Sequence, residues 1–364
     1  MLTVVGSAIG RGRESRSKHV EPSTNPRVGL TVKALLSRTP GPPESLVLED
    51  VPESSPGPGM VRVAVAVCAV NFPDALIIED RYQVRPERPF APGAEVSGVI
   101  DAVGEGVAAT RIGERVIGFS NWGGMAEKLV LPADRCAPMP DAMPFDEAAA
   151  LLMTYGTALY GLKARGALLA GETLLVLGAG GGVGLAAVEV GKALGATVIA
   201  AASSEAKVEA ARAAGADRTL VYPRGPFDSD GRKALSALFK DACPGGAGVV
   251  FDPVGGDYAE AALRSIQPEG RFLVVGFPAG IPRMPLNLVL LKSCQVVGVA
   301  WGAVVRNDAG AFQRIASELI GLYQAGVIRP RISERFPLAR AAEAIARLGA
   351  REAVGKLVVT VTGP

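Results

Sequence analysis

Two patterns of apolar residues divide the chain. Up to about residue 130 the apolar positions come in short runs, some alternating with polar ones as in half-buried strands. Strands are expected over 32–35, 46–49, 61–70, 96–103, 115–119 and 124–130. In the longest run Val61, Val63, Val65 and Val67 are expected on one face. Proline and glycine clusters such as Gly41-Pro42-Pro43 and Pro92-Gly93 punctuate the runs as turns. This pattern predicts a β-rich, barrel-like unit. Residues 145–162 carry the helical period, with Asp146 near the start as a cap.

Beyond that helix the period alternates. Strands over 174–177, 197–202, 217–222, 248–252 and 270–275 are interleaved with helices from 183, 204–214, 232–239 and 258–266. Such repetition predicts an open parallel sheet with helical crossovers. Apolar runs at 286–291 and 295–298 follow, then helices over 309–325 and 336–348. A final strand over 356–359 is placed to rejoin the first unit. The divisions expected are a disordered or artefactual tail at 1–30, a first part at 31–155, a nucleotide-binding part at 156–295 and a returning part at 296–364.

Composition narrows the classes. Of 364 residues, 49% are hydrophobic and 20% charged, a globular balance. The net charge of +2 gives no reason to expect nucleic acid. The long apolar stretches are broken by glycines, so no membrane span is expected. Cys68, Cys136, Cys243 and Cys294 form no CxxC pair and have no zinc-site spacing, which points to a reducing compartment, the cytoplasm. The single histidine is His19, so chemistry in the body must proceed without imidazole.

The candidate chemistry lies at 174–195. A short apolar strand runs into Gly178-Ala179-Gly180-Gly181-Gly182-Val183-Gly184 and then a helix. The spacing fits Ala179-x-Gly181-x-x-Gly184, a dinucleotide fingerprint with alanine at its first glycine. Main-chain amides and the helix N-terminus can there meet a pyrophosphate. Gly181 permits close backbone approach and Gly184 tight helix packing, with Gly180, Gly182 and Val183 completing the cradle. The second strand ends at Ser203-Ser204, where NAD enzymes usually carry an acid on the ribose. Serine hydroxyls with Lys207 suit a 2′-phosphate instead, so NADPH is the expected cofactor. The competing reading has the serines capping a helix and Lys207 solvated.

In order along the chain, Val70-Asn71-Phe72-Pro73-Asp74, 92–98 (PGAEVSG), 154–158 (TYGTA), the 179–184 turn and Val354-Gly355-Lys356 resemble the zinc-free quinone oxidoreductase branch of the medium-chain dehydrogenase/reductases. The resemblance runs from about 31 to 359. It implies an α/β fold, a doubly wound Rossmann sheet inserted into a GroES-like β-rich domain, and a homodimer. Zinc alcohol dehydrogenases carry a ligand cysteine where this chain has Asn71 and a ligand histidine where it has Ala94. Glu95 alone does not hold a catalytic zinc, so no metal is expected.

The same resemblance suggests roles. Asn71 is placed to bond the nicotinamide ribose or the acceptor, or else caps its own turn. Tyr82 stands where similar reductases put a tyrosine by the substrate, or packs at the cleft edge; Leu76 replaces a usual aromatic. Thr157 matches a threonine near the nicotinamide, or bonds its own helix. Tyr222, and more loosely Arg224, flank the 2′-phosphate. Gly276 and Phe277 are candidate cofactor-binding residues, and Phe277, Val299 and Trp301 line the nicotinamide and substrate cleft or else belong to the core. Asn287 and Lys356 match positions near the cofactor cleft, with solvated or structural roles as the alternative. Asp74 and Glu95 are expected to orient neighbours. The expected activity is NADPH-dependent reduction of a small quinone or enone, with an enoyl-thioester reductase or a non-catalytic NADPH-binding protein as alternatives.

Overall fold

The computed structural model describes residues 30–362. The expected tail at 1–30 lies outside them but for Leu30. The first lobe contains β1 (Thr31–Leu36), β2 (Val47–Pro52), β3 (Met60–Val70), α1 (Phe72–Ile77), β4 (Glu95–Val103), β5 (Arg115–Phe119), β6 (Lys128–Pro132) and β7 (Cys136–Pro138). Next come α2 (Phe145–Ala149) and α3 (Thr154–Leu159). The βα repeat follows as β8 (Thr173–Val176), α4 (Gly182–Ala193), β9 (Thr197–Ala202), α5 (Glu205–Ala213), β10 (Arg218–Val221), α6 (Ser229–Ala242), β11 (Ala247–Asp252), α7 (Asp257–Arg264), β12 (Ile266–Val274), α8 (Leu286–Leu291) and β13 (Gln295–Gly298). The chain ends through α9 (Trp301–Asn307), α10 (Ala309–Gln324), β14 (Ile332–Pro337), α11 (Ala341–Gly349) and β15 (Lys356–Thr360).

The repeat closes into a six-stranded parallel sheet of order β10-β9-β8-β11-β12-β13, the doubly wound Rossmann order. It runs to Gly298, three residues past the 295 expected as its end, because β13 pairs in parallel with β12. The other large sheet has the order β14-β15-β3-β4-β5-β7, with β6 on β3. The final strand returns as expected: β15 lies antiparallel to β3, with Leu357 opposite Val70. One core cluster joins the lobes, packing Ile117 and Phe119 of β5 with Leu151, Leu174, Trp301 and Phe312.

Three expectations need correction. The register slips between Val65 and Val67 of β3, and this bulge reverses the alternation. Val61, Val63 and Val65 enter one core with Cys68 and Val70, whereas Val67 and Ala69 face another against Ala149 and Val358. The helix expected over 145–162 is broken at 150–153, because the buried Glu95 carboxylate takes the free Met153 N–H at 2.8 Å. The helix expected over 336–348 starts at Ala341. Phe336, extended ahead of Pro337, belongs to β14, opposite Val359 of β15.

Candidate active site

A cavity of about 670 Å³ opens at the carboxyl ends of β8 to β11, where open parallel sheets hold their ligands. Its floor is the glycine turn. Gly181 is the N-cap of α4, in extended conformation, and its N–H donates to Gly178 O at 3.0 Å. A Cβ on Gly184 would lie 2.2 Å from Gly178 O, so only glycine lets α4 seat on the turn. Gly178, Gly181, Gly182, Val183 and Gly184 line the cavity. Gly180 serves differently: a Cβ there would sit 2.4 Å from Lys207 Cβ, so its bareness lets the lysine stem lie across the turn.

Cations gather at one end. Ser203, Lys207, Tyr222 and Arg224 line the cavity, joined by Arg351 from the returning part. Lys207 Nζ donates to Arg351 O at 2.7 Å. Burial, together with the positive charges of Arg224 and Arg351, holds the Lys207 pKa below its ordinary value. Desolvation is the larger cause, and the two guanidinium charges add to it. Tyr222 is buried beside Tyr258, ring centroids 4.9 Å apart. Ser204 is the N-cap of α5, but its side chain makes no capping bond and it stands outside the lining.

The other end is a buried polar cluster. Lys356, Asn71 and Thr154 line the cavity there. Lys356 Nζ donates to Asn71 Oδ1 at 2.6 Å, and Asn71 Nδ2 donates to Glu95 Oε2 at 3.1 Å. The Asn71 and Gly93 N–H groups donate to the Asp74 carboxylate at 2.7 and 3.0 Å. Burial raises the pKa of Glu95, against the pull of Lys356. It pushes Asp74 up to about 6, with the amides of Asn71 and Gly93 opposing. Asn71 is therefore both the N-cap of α1 and a link in this network.

Other expected residues stand apart from the cavity. Thr157 Oγ1 donates to Met153 O at 2.6 Å within its own helix and does not line the cavity. Tyr82 packs on the first lobe's core, outside the lining; burial raises its phenol pKa, with Arg306 opposing. Gly276 and Phe277 also miss the lining, where Pro278 and Ala279 stand instead. Val299 and Trp301 are core residues, and Trp301 Nε1 donates to Leu152 O at 2.9 Å. Asn287 is exposed on α8. Thr154, Arg351 and Tyr258 escaped the sequence reading. Only Thr154 lay in a quoted motif, three residues before the threonine that was chosen.

Residues 57–141 match the alcohol dehydrogenase GroES-like domain and 182–318 the zinc-binding dehydrogenase domain. Quinone oxidoreductase-like protein 2 of Bos taurus is 38% identical over 318 residues, 87% of this chain and 89% of its own. The chain belongs to the medium-chain dehydrogenase/reductases, on their zinc-free, quinone oxidoreductase-related side. Solved structures of this superfamily agree. A mycobacterial member in complex with NADPH has a TM-score of 0.83 at 30% identity, covering 91% of this chain and 100% of that one. A quinone oxidoreductase of Pseudomonas syringae pv. Tomato has a TM-score of 0.80 at 31% identity, with the same coverage. Among the described residues no group of three or more His, Cys, Asp or Glu is placed to hold a metal ion. Nor is any helix among them long and apolar enough to cross a membrane.

Proposed function

We propose that the protein is a cytoplasmic NADPH-dependent reductase of quinones or related α,β-unsaturated carbonyl compounds. The observation that carries this reading is one cavity with a glycine cradle in the middle, the cations Lys207, Arg224 and Arg351 at one end and a buried polar cluster at the other. The residues fit the cofactor. The turn at 181–184 presents helix N–H groups to a pyrophosphate, and Lys207, Arg224 and Arg351 suit a 2′-phosphate, with Ser203 as a donor. Bound NADPH supplies a hydride from C4 of its nicotinamide. The chain's part is to orient the acceptor beside Asn71 and Thr154 and to enclose it. Tyr82 and Thr157 do not line the cavity, so this reading gives neither a contact with the acceptor.

A homodimer is part of this proposal. β13 is an edge strand with Val296 exposed, and the adjoining α8 exposes Leu286, Leu290 and Leu291. An open edge beside exposed leucines suits strand pairing with a second copy.

The test is NADPH and NADH oxidation with a panel of quinones, enones and enoyl thioesters, together with dissociation constants for both cofactors. NADPH binds more tightly than NADH, and quinones or enones are reduced. Lys207→Ala weakens NADPH about tenfold, roughly 1.4 kcal/mol, and leaves NADH nearly unchanged. Turnover of enoyl thioesters alone moves the assignment to that class. Binding without turnover makes the protein a non-catalytic NADPH-binding member, and tighter NADH binding sinks the cofactor choice.

A further inference from the structure

Lys356, at the start of β15, is only 4% exposed. Burying a charged group costs several kcal/mol unless it is paired and hydrogen-bonded, so the fate of its three N–H donors shows what the residue does. Nζ donates to Asn71 Oδ1 at 2.6 Å and to Val70 O at 3.2 Å, and stands 3.5 Å from Glu95 Oε2. The two hydrogen bonds take two donors, and the third lies in ion-pair range of the Glu95 carboxylate. The stem faces the cradle: a Cβ on Gly182 would lie 2.7 Å from Lys356 Cδ. The next residue back ties the other lobe, since Gly355 N donates to Gly180 O at 2.9 Å.

The asparagine has one way to sit here. Its Oδ1 faces a group that only donates, and its Nδ2 donates to Glu95 Oε2 at 3.1 Å and Ala69 O at 3.4 Å. Turning the amide over would set its NH2 against the ammonium and its oxygen against the carboxylate. Without the ammonium, Oδ1 loses its 2.6 Å donor and Glu95 loses its buried counter-charge.

We propose that Lys356 is a positioning residue, which fixes the Asn71 amide and balances Glu95 at the acceptor end of the cavity and does not bind the cofactor's phosphates. This departs from the sequence reading, which grouped Lys356 with the cofactor ligands. It rests on the cavity being the NADPH site. Lys207, with a single backbone acceptor and two cationic neighbours, is the contrasting phosphate-type lysine.

The experiment is a double-mutant cycle of Lys356→Met, which keeps the stem, and Asn71→Ala. NADPH dissociation constants come from fluorescence titration, and kcat from an acceptor that the wild type reduces. Each single variant is expected to lower kcat tenfold or more and to leave NADPH affinity within twofold. The double variant is no slower than the worse single, because the lysine acts through the asparagine. Losses that multiply, or a tenfold loss of NADPH affinity in Lys356→Met, overturn the proposal. Should Lys356→Met fail to fold, the same cycle in a Glu95→Gln background leaves no buried carboxylate unpaired. A wild type that reduces nothing overturns the proposed function instead, and the affinity titration, which needs no turnover, still decides whether the ammonium binds phosphate.

Discussion

Asp74 shows how burial alone retunes a residue. Its carboxylate accepts the Asn71 and Gly93 amides at 2.7 and 3.0 Å, yet desolvation wins and raises its pKa to about 6. An unfolded aspartate titrates near 3.9. Below that value both states are protonated and the group is neutral in the balance. Between about 4 and 6 the unfolded chain ionises first, so stability falls as pH rises; above 6 the loss is complete, about 3 kcal/mol. Wild type and Asp74→Asn, unfolded in urea from pH 4 to pH 7, should therefore show the wild type's relative stability dropping by about that amount up to pH 6 and level beyond. A difference independent of pH would mean that the buried carboxylate stays ionised. The residue type and its place in the Asn71–Asp74 motif were legible in the sequence. Its second partner was not, because the Gly93 amide comes from the turn that leads into β4.

At the scale of elements, local pattern carried far where the sheet is parallel and buried. β9 falls at 197–202 as read, and the turn into α4 is where the fingerprint put it. Gly184 is the sharpest case. Its missing Cβ would meet a backbone oxygen at 2.2 Å and Ala179 Cα at 2.7 Å, atoms that a side-chain rotation cannot clear. Gly184→Ala should destabilise the fold by about 1–3 kcal/mol and weaken NADPH by tenfold or more, because α4 must lift from the turn. Thermal unfolding and cofactor titration check it, and wild-type values for both would refute the tight seat. Pattern failed where a contact from elsewhere decided the geometry. Glu95 of β4 interrupts the helical run at Met153, and the bulge in β3 turns Val67 away from Val65. Neither event leaves a mark in the local period.

The whole molecule places the cavity between a Rossmann sheet and a chain segment that returns from far downstream. Arg351 and Lys356 reach it only because β15 pairs with β3. The same sheet leaves β13 as an edge, next to the exposed leucines of α8. Leu290→Glu puts a charge into the proposed contact between copies. Sedimentation should find the wild type dimeric and the variant monomeric, with NADPH binding kept, since α8 does not line the cavity. A monomeric wild type, or a variant that still dimerises, would refute the interface.

By itself the sequence determined the βα repeat and the cofactor turn, because each is written in neighbouring residues, and the resemblance to the family marked Asn71 and Ala94 as lacking the zinc ligands. Periodicity reports which face of an element is buried, and glycine spacing reports where backbone must come close. Tertiary structure alone decided which threonine meets the cavity, Thr154 rather than Thr157, since the break between α2 and α3 sets the phase of the helix. It also decided that Lys207 has one backbone acceptor and two cationic neighbours, whereas Lys356 is bonded to Asn71 and Val70 beside the Glu95 carboxylate. The two are alike as letters. Their difference lies in burial and in which acceptors lie within 3.5 Å, and those acceptors come from segments far apart in the chain.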